Sequence, residues 1–111
     1  MLHKELRISR GKEYSGIYKV GRRIAGQYMI VFLKSNQLDR NRFGIVTSKK
    51  IGNAVIRNRA KRQLREVIRK NLNNLPSTYD MVVVARFNIK DAVFALIEKD
   101  FLRLMRKASI K

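Results

Sequence analysis

The sequence contains no cysteine, and its single histidine, His3, lies close to the amino terminus. Disulfide bonds and thiolate metal sites are therefore excluded. Thr47 and Ser48 have hydroxyl groups, but there is no histidine base available to activate either one. No group of acids has the spacing of metal ligands. We therefore expect neither a catalytic residue nor a metal site in the polypeptide.

Long apolar segments are absent as well. The longest uninterrupted apolar runs cover residues 28–33 and 92–97, whereas a membrane-spanning helix needs about 20 residues. The first residues also lack the apolar core of a signal peptide. Together with the absence of cysteine, these features predict a cytoplasmic protein without a membrane partner. The length of 111 residues predicts a single domain over 1–111.

Acidic residues are scarce. There are 8 Asp and Glu against 26 Lys and Arg, which gives a formal net charge of +18. Such an excess makes the compact state repel itself unless a polyanion supplies the missing negative charge. Nucleic acid is the commonest polyanion, and an anionic membrane surface is its competitor. The composition therefore favours a nucleic-acid-binding protein.

Hydrophobic periodicity predicts six elements in the order α-β-β-α-β-α. Helices are expected over about 10–20 and 54–72, strands over 27–34, 42–48 and 79–86, and a last helix ends near Ala108. The polar stretch 35–41 is interpreted as a hairpin loop. Because a strand-helix-strand unit implies a crossover, we expect an α/β sandwich with a mixed sheet and helices packed on it.

Capping residues and apolar stripes support the three helices. Ser9 can cap the first helix, Asn53 the second, and Asn88 or Asp91 the third. Gly21 can end the first helix in the left-handed conformation. The stripes consist of Tyr14, Ile17 and Tyr18 on the first helix, Ile56, Ala60, Leu64, Val67 and Ile68 on the second, and Val93, Ile97, Phe101, Leu104, Met105 and Ala108 on the third.

The second helix has an unusually basic face. Residues 49–70 contain nine Lys and Arg but one acid, Glu66. At about 100° per residue, five polar residues cluster on one side, and we call them the basic ridge: Asn58, Lys61, Arg62, Arg65 and Arg69. Like charges at i, i+4 destabilise an isolated helix by a few tenths of a kcal/mol per pair. A phosphate backbone beside the helix would attract the same cations, so that they would stabilise the complex. The alternative is a basic face that contacts only solvent.

Four aromatic residues precede the polar stretch: Tyr14, Tyr18, Tyr28 and Phe32. Proteins that bind single-stranded RNA stack unpaired bases on such rings. The alternative is that the rings belong to the core. Tyr28 and Phe32 have the same parity on the predicted strand, so we expect them to face the same side of the sheet.

Residues 48–66 read SKKIGNAVIRNRAKRQLRE. This segment closely resembles the signature of the bacterial ribonuclease P protein component, in which Lys-Lys-x-Gly-Asn-Ala precedes Arg-Asn-Arg-x-Lys-Arg. The resemblance extends to residues 13–21, 42–44 and 80–86 and to the last helix, so that it covers nearly the whole chain in the order of that family.

The resemblance implies a fold that periodicity alone does not give. Members of the family have an α/β sandwich like domain 2 of ribosomal protein S5, with about four strands and a left-handed βαβ crossover. The left hand could not be derived from the residues, because right-handed crossovers are the overwhelming default. The resemblance also leads us to expect one strand more than the three that the pattern predicts.

The resemblance also implies an activity. Ribonuclease P removes the 5′ leader from precursor tRNA, and its RNA subunit performs the chemistry with Mg²⁺. The protein would be a non-catalytic subunit of this endoribonuclease, with the ribonuclease P RNA and precursor tRNA as partners and no obligate protein partner.

Site residues follow from the resemblance position by position. The RNA-binding set, with Arg69 added from the basic ridge, is Lys49, Lys50, Arg57, Asn58, Arg59, Lys61, Arg62, Arg65 and Arg69. The leader-binding set is Tyr14, Tyr18 and Phe32, with Arg57 and Asn58 at its edge. Tyr14 stands where the family usually has Phe, and Thr47 where many members have an apolar residue such as Val.

Two other functions are compatible with the composition. A structural ribosomal RNA-binding protein would be equally basic, and residence on ribosomal subunits would distinguish it. A DNA-binding regulator would read the major groove with the basic helix. Regulators of that kind usually dimerise, and the sequence has no apolar seam beyond the core stripes.

Overall fold

Seven helices and strands follow one another along the described part of the chain. The computed structural model describes residues 7–8, 11–38, 40–75 and 78–109. The elements are α1 (Gly11–Val20), β1 (Arg22–Ala25), β2 (Met29–Ser35), β3 (Arg42–Val46), α2 (Ala54–Lys70), β4 (Tyr79–Ala85) and α3 (Phe94–Ser109), with short 3-10 turns at Leu72–Asn74 and Phe87–Asp91. His3 and Ser9 lie outside the described residues.

The strands form one mixed sheet in the order β1-β2-β4-β3. The pairs β1–β2 and β2–β4 are antiparallel, and β3 and β4 are parallel neighbours. The parallel pair is joined through α2, which confirms the predicted crossover and mixed sheet. The strand count of four agrees with the resemblance. The left hand of the crossover stays an expectation that rests on the resemblance.

The predicted hairpin at 35–41 is wrong. β2 and β3 are not neighbours, because β4 lies between them. β4 is the most continuously apolar strand, and it lies between β2 and β3 with the main core on one face and the α1 side of the sheet on the other. The polar stretch instead holds β4 in place, since the Asn36 side chain donates to a carboxylate oxygen of Asp80 at 2.9 Å.

The strand that periodicity misses is β1, whose sequence RRIA begins with two arginines. β1 follows α1 directly. The prediction that Gly21 adopts the left-handed conformation is wrong, because among the described glycines the one with a positive φ is Gly52. Gly21 is needed for a different reason: a Cβ atom there would lie 2.3 Å from the carbonyl oxygen of Ile17. Arg22 joins β1 to the end of α3 by donating to the carbonyls of Lys107 and Ala108.

The main core lies between one face of the sheet and the helices α2 and α3. Met29, Val31 and Leu33 of β2 point into it and are buried. The predicted helical stripes are buried at Ala60, Leu64, Val67, Ile68, Ile97, Phe101, Leu104, Met105 and Ala108. The prediction that Val93 belongs to the buried stripe of the last helix is wrong, because its side chain is 60% exposed. The chain at Phe87–Asp91 forms a 3-10 turn and α3 begins only at Phe94, so neither Asn88 nor Asp91 caps it.

The opposite face of the sheet is partly covered by α1. This helix crosses the strands over Gly44, Val82 and Phe32, which are lateral neighbours in the sheet. Ile17 is 1% exposed and packs with Ile8 and Val82 in a second, smaller core. α1 covers the row of the sheet that contains Val82. The next row toward the carboxyl end of β4, which contains Val84, is therefore only half-buried.

Candidate nucleic-acid interface

A basic loop leads from β3 into α2. Ile51 is 1% exposed and anchors the loop, and its N–H donates to the carbonyl of Ser48 at 3.1 Å. The neighbouring Lys49 and Lys50 are exposed. The loop therefore presents two ammonium groups to solvent on a fixed backbone.

Asn53 begins α2 as predicted. Its side-chain oxygen accepts a hydrogen bond from the N–H of Ile56 at 3.0 Å. Gly52 precedes it with φ of 154°, and a Cβ atom there would lie 2.8 Å from Cδ1 of Ile56. The first turn of α2 contains no acid, so the positive end of the helix dipole adds to the basic charge of the loop.

The basic ridge lies on the side of α2 opposite the buried stripe. Asn58, Arg62 and Arg69 are exposed, and Lys61 and Arg65 are half-buried. Arg59 is exposed beside the ridge, whereas the Arg57 guanidinium donates back to the carbonyl of Gly52 at 3.3 Å. The predicted RNA-binding residues thus form a continuous surface along the loop and the helix.

One acid interrupts this surface. Arg69 Nε donates to a carboxylate oxygen of Glu66 at 3.0 Å. This hydrogen bond lowers the pKa of Glu66 and raises that of Arg69. Both side chains are largely exposed, so an RNA phosphate can compete with the carboxylate for the guanidinium at little cost.

Arg65 connects the ridge to the other face of the sheet. It lines a cavity of about 160 Å³ together with Arg7, Tyr14 and Gly44, at the edge of the sheet formed by β3. The predicted RNA-binding and leader-binding residues therefore meet at this edge.

The half-buried row beside α1 forms a groove, which we define by Ile30, Val46 and Val84 as its floor. Ile30 of β2 and Val46 of β3 lie on either side of Val84 of β4 and pair with it. Tyr18 and Phe32 stand at its side with ring centroids 4.9 Å apart and ring planes at 77°. Tyr18 is 41% exposed. The groove has an apolar floor and an accessible aromatic edge.

Tyr14 is held more firmly than Tyr18. Its hydroxyl donates to the carbonyl of Ile8 at 3.3 Å, and a Cβ atom at Gly44 would lie 2.3 Å from that hydroxyl. Burial raises the pKa of both phenols, and the pKa of Tyr14 is raised further by Tyr18 and Glu13. Both rings are therefore neutral at physiological pH and do not repel phosphate.

The expectation that Tyr28 and Phe32 face the same side is wrong. Tyr28 precedes β2, which begins at Met29, and its backbone N–H donates to Asp100 at 2.9 Å. Tyr28 packs against the main core, and Phe32 packs against the smaller core under α1. Strand parity fails at Tyr28 because that residue lies in the turn before the strand.

An ion-pair network holds α1 across the sheet. Arg42 of β3 contacts Glu13 of α1 at 2.8 Å and Asp80 of β4 at 2.7 Å. Burial alone raises the pKa of the Asp80 carboxyl, but hydrogen bonds from Arg42 and Asn36 outweigh it and leave the pKa below its usual value. The hydrogen bond with Asp80 likewise raises the pKa of Arg42. The groove depends on this network, because α1 forms its side.

Sequence reasoning missed the floor of the groove. Ile30 has the same parity as Phe32, so alternation along β2 was a signal for it. Val46 and Val84 lie in apolar runs whose register the sequence did not fix. Their place beside Ile30 follows only from the pairing of β4 between β2 and β3.

The described residues contain no group of three or more His, Cys, Asp or Glu side chains placed to hold a metal ion. Within the same residues, no helix has the length and apolar character needed to cross a membrane.

Comparisons with known proteins agree with this geometry. A family model described as Ribonuclease P matches residues 2–109. A ribonuclease P protein component from Syntrophomonas wolfei is 44% identical over 110 residues, which are 99% of this chain and 92% of the relative. One from Fusobacterium nucleatum is 38% identical over 107 residues, covering 93% and 96% of the two chains.

Solved structures give the same result. A Staphylococcus aureus RNase P protein mutant superposes with a TM-score of 0.89 at 33% identity, covering 95% of this chain and 89% of its own. The Thermotoga maritima RNase P protein gives 0.84 at 30% identity, covering 91% and 96%. These matches support the resemblance over the ribosomal alternative. The chain belongs to the ribonuclease P protein family, whose members are the protein subunit of the endoribonuclease that processes precursor tRNA.

Proposed function

We propose that the basic ridge and the loop before it bind the ribonuclease P RNA. The observation on which this proposal depends is the one-sided charge of α2, whose buried stripe fixes the helix to the sheet and leaves the cations facing outward. The residues in contact with RNA would be Lys49, Lys50, Arg57, Asn58, Arg59, Lys61, Arg62, Arg65 and Arg69. Arginine suits this role because its planar fork matches phosphate oxygens.

Binding would be driven by neutralised phosphates. Each phosphate contact releases condensed counterions, so the affinity falls steeply with salt concentration. Lys61, Arg65 and Arg69 repel one another along the free helix, and RNA would remove that cost. Asn58 would add an amide that can read a base edge or a 2′-hydroxyl.

The groove would receive the 5′ leader of precursor tRNA. Tyr14, Tyr18 and Phe32 would contact unpaired bases, with Arg57 and Asn58 at its edge. Support comes from the accessible ring of Tyr18, from the apolar floor and from the neutral state of both phenols. Stacking on aromatic rings accepts every base, so the groove would hold leaders of different sequence.

The chemistry would belong to the RNA subunit. Mg²⁺ would be held by RNA in the assembled enzyme, and the protein would contribute affinity and position. We also propose that residues 1–111 act as one RNA-binding domain, without an obligate protein partner and in the cytoplasm, where the RNA partners are present.

Site-directed crosslinking in the assembled enzyme tests both contacts. A photoreactive phenylalanine analogue in place of Arg59 should crosslink to the catalytic RNA, and the analogue in place of Tyr18 should crosslink to leader nucleotides. The analogue in place of Gln37, in the exposed loop after β2, is the control and should give neither product. Crosslinks of position 18 to catalytic RNA alone would contradict the assignment of the groove.

A further inference from the structure

The groove extends beyond its floor onto β1, an outer strand of the sheet. Ala25 of β1 pairs with Ile30 and therefore continues the row of the groove floor by one residue. Ala25 is exposed, and its methyl group is too small to close this end of the groove. The groove therefore crosses all four strands of the sheet and is open over β1.

Arg23 lies beside this open end, on the face of the sheet that contains the groove. It is the cross-strand partner of Phe32, and the Cβ atoms of such partners are about 5 Å apart on one face of a sheet. The next residue, Ile24, points to the opposite face, where it is buried in the main core. Arg23 itself is exposed. Its side chain therefore begins next to the ring that stands with Tyr18 at the side of the groove.

The two arginines that begin β1 differ in what they contact. Arg22 donates to the carbonyls of Lys107 and Ala108 and so joins β1 to the end of α3. Arg23 makes no hydrogen bond or ion pair within the part of the chain that the structure describes. The first arginine therefore has a structural role, and the second is a cation available to a ligand.

Cations thus lie at both ends of the groove. The basic loop with Lys49 and Lys50 leaves β3 directly after Val46, which is the floor residue on that strand. Arg23 lies at the other end, on β1. Three strand spacings of about 4.8 Å separate β1 from β3, so the two ends are roughly 14 Å apart. An extended ligand with negative charge along its length fits this arrangement better than a single small anion does.

We propose that Arg23 binds a phosphate of the 5′ leader of precursor tRNA, at the point where the leader leaves the groove over β1. The inference rests on the proposed function, which places leader bases in the groove. Bases that lie on the apolar floor and against the aromatic edge leave their phosphates at the rim of the groove, where the Arg23 side chain begins. A guanidinium suits this contact because its planar fork matches phosphate oxygens.

This contact makes Arg23 sensitive to the length of the leader. In the proposed function the catalytic RNA lies on the basic ridge and the loop, at the β3 end of the groove. The leader therefore enters at that end and reaches β1 only after it has crossed the sheet. A leader of a single nucleotide does not reach Arg23, whereas a leader that spans all four strands does. Arg23 is therefore a positioning residue that favours precursors with long leaders.

The test is the binding of precursor tRNA to the enzyme assembled with the variant Arg23→Gln. Two precursors are compared, one with a single leader nucleotide and one with a leader long enough to cross the sheet. For the long leader the affinity should fall, and the slope of log K against log salt should become shallower by about 0.7, the value for one phosphate of a single strand. For the single nucleotide, neither the affinity nor the slope should change.

Three controls make the result specific. Arg23→Lys retains the charge and should retain the slope. Lys99→Gln removes an exposed cation from α3, on the other side of the sheet, and should bind both precursors as the parent protein does. Tyr18→Ala removes the accessible ring of the groove and should weaken binding of the long-leader precursor.

Unchanged binding of both precursors to Arg23→Gln, with weaker binding of the long-leader precursor to Tyr18→Ala, would overturn the contact with Arg23 and leave the proposed function intact. Unchanged binding in both variants would overturn both the contact and the leader groove. Equal weakening of the two precursors by Arg23→Gln would overturn the inference, because Arg23 would then act on a part of the substrate that both precursors share. An equal loss for Lys99→Gln would overturn it as well, since any surface cation would then have the same effect.

Discussion

Arg62 is exposed near the middle of the basic ridge. Replacing it with alanine removes one cation without touching the core, so stability should change little. The variant Arg62→Ala should bind the catalytic RNA more weakly, and its salt slope should be shallower by about 0.7–0.9 if Arg62 contacts one phosphate. Filter binding at several salt concentrations measures this slope, with Arg62→Lys as the charge-retaining control. An unchanged slope would mean that Arg62 contacts no phosphate.

Tyr18 is the most accessible ring beside the groove, at 41% exposure. Tyr18→Ala should reduce the preference of the assembled enzyme for precursor with a leader over mature tRNA by about 1–3 kcal/mol, because stacking of one base is lost. Tyr18→Phe retains the ring and should retain the preference. Equal weakening for both RNAs would indicate that Tyr18 only supports the fold.

Asp80 tests the network that holds α1. The pKa of the Asp80 carboxyl is lower in the folded protein than in the unfolded chain, where it is about 3.9. The stability that Asp80 contributes is therefore fully present above about pH 3.9 and is lost as the pH falls through the pKa of the folded state. Asp80→Asn should therefore lower the free energy of unfolding at pH 7 by about 3 kcal/mol. In urea titrations this difference should shrink below pH 4, and the exposed Asp91→Asn should show no comparable loss. A difference independent of pH would contradict the ionic role of Asp80.

Among the elements, α2 depends most visibly on its cap. Asn53→Ala removes the acceptor for the N–H of Ile56, and we expect the free energy of unfolding to fall by about 1 kcal/mol. Asn53→Ser retains an acceptor and should lose less. Urea denaturation monitored by circular dichroism measures both. Equal stability of the alanine variant and the parent protein would show that the cap contributes nothing.

The sequence predicts elements well where one helix face is buried. α2 and its cap follow from the spacing of Ala60, Leu64 and Val67 and from Asn53, and all of them agree with the structure. β1 could not be found in this way. Its four residues have no apolar alternation, and they are held by pairing with β2 and by the contact of Arg22 with the end of α3.

The candidate site was predictable where its residues lie on one helix, and it was not predictable where they come from several strands. The basic ridge is a local pattern on one helix, so its residues could be identified from spacing. The groove is formed by neighbours from three strands, and the central position of β4 that brings Val46, Val84 and Ile30 together is a tertiary fact. Tyr28 shows the same limit, because its separation from Phe32 depends on where β2 begins.

At the scale of the whole molecule, the two faces of the sheet present different surfaces. The helices α2 and α3 cover one face of the sheet and direct cations outward, and the other face keeps the groove beside α1. With a net charge of +18, this arrangement suits a protein that binds RNA, and under the proposed function the RNA subunit performs the reaction.

Reconstituted processing of precursor tRNA tests that division of labour most directly. The purified protein alone should leave the precursor intact, and adding it to the catalytic RNA in limiting Mg²⁺ should increase the rate of 5′ leader removal. Leader removal by the protein without RNA, or a rate for the catalytic RNA that the protein does not change, would contradict the account.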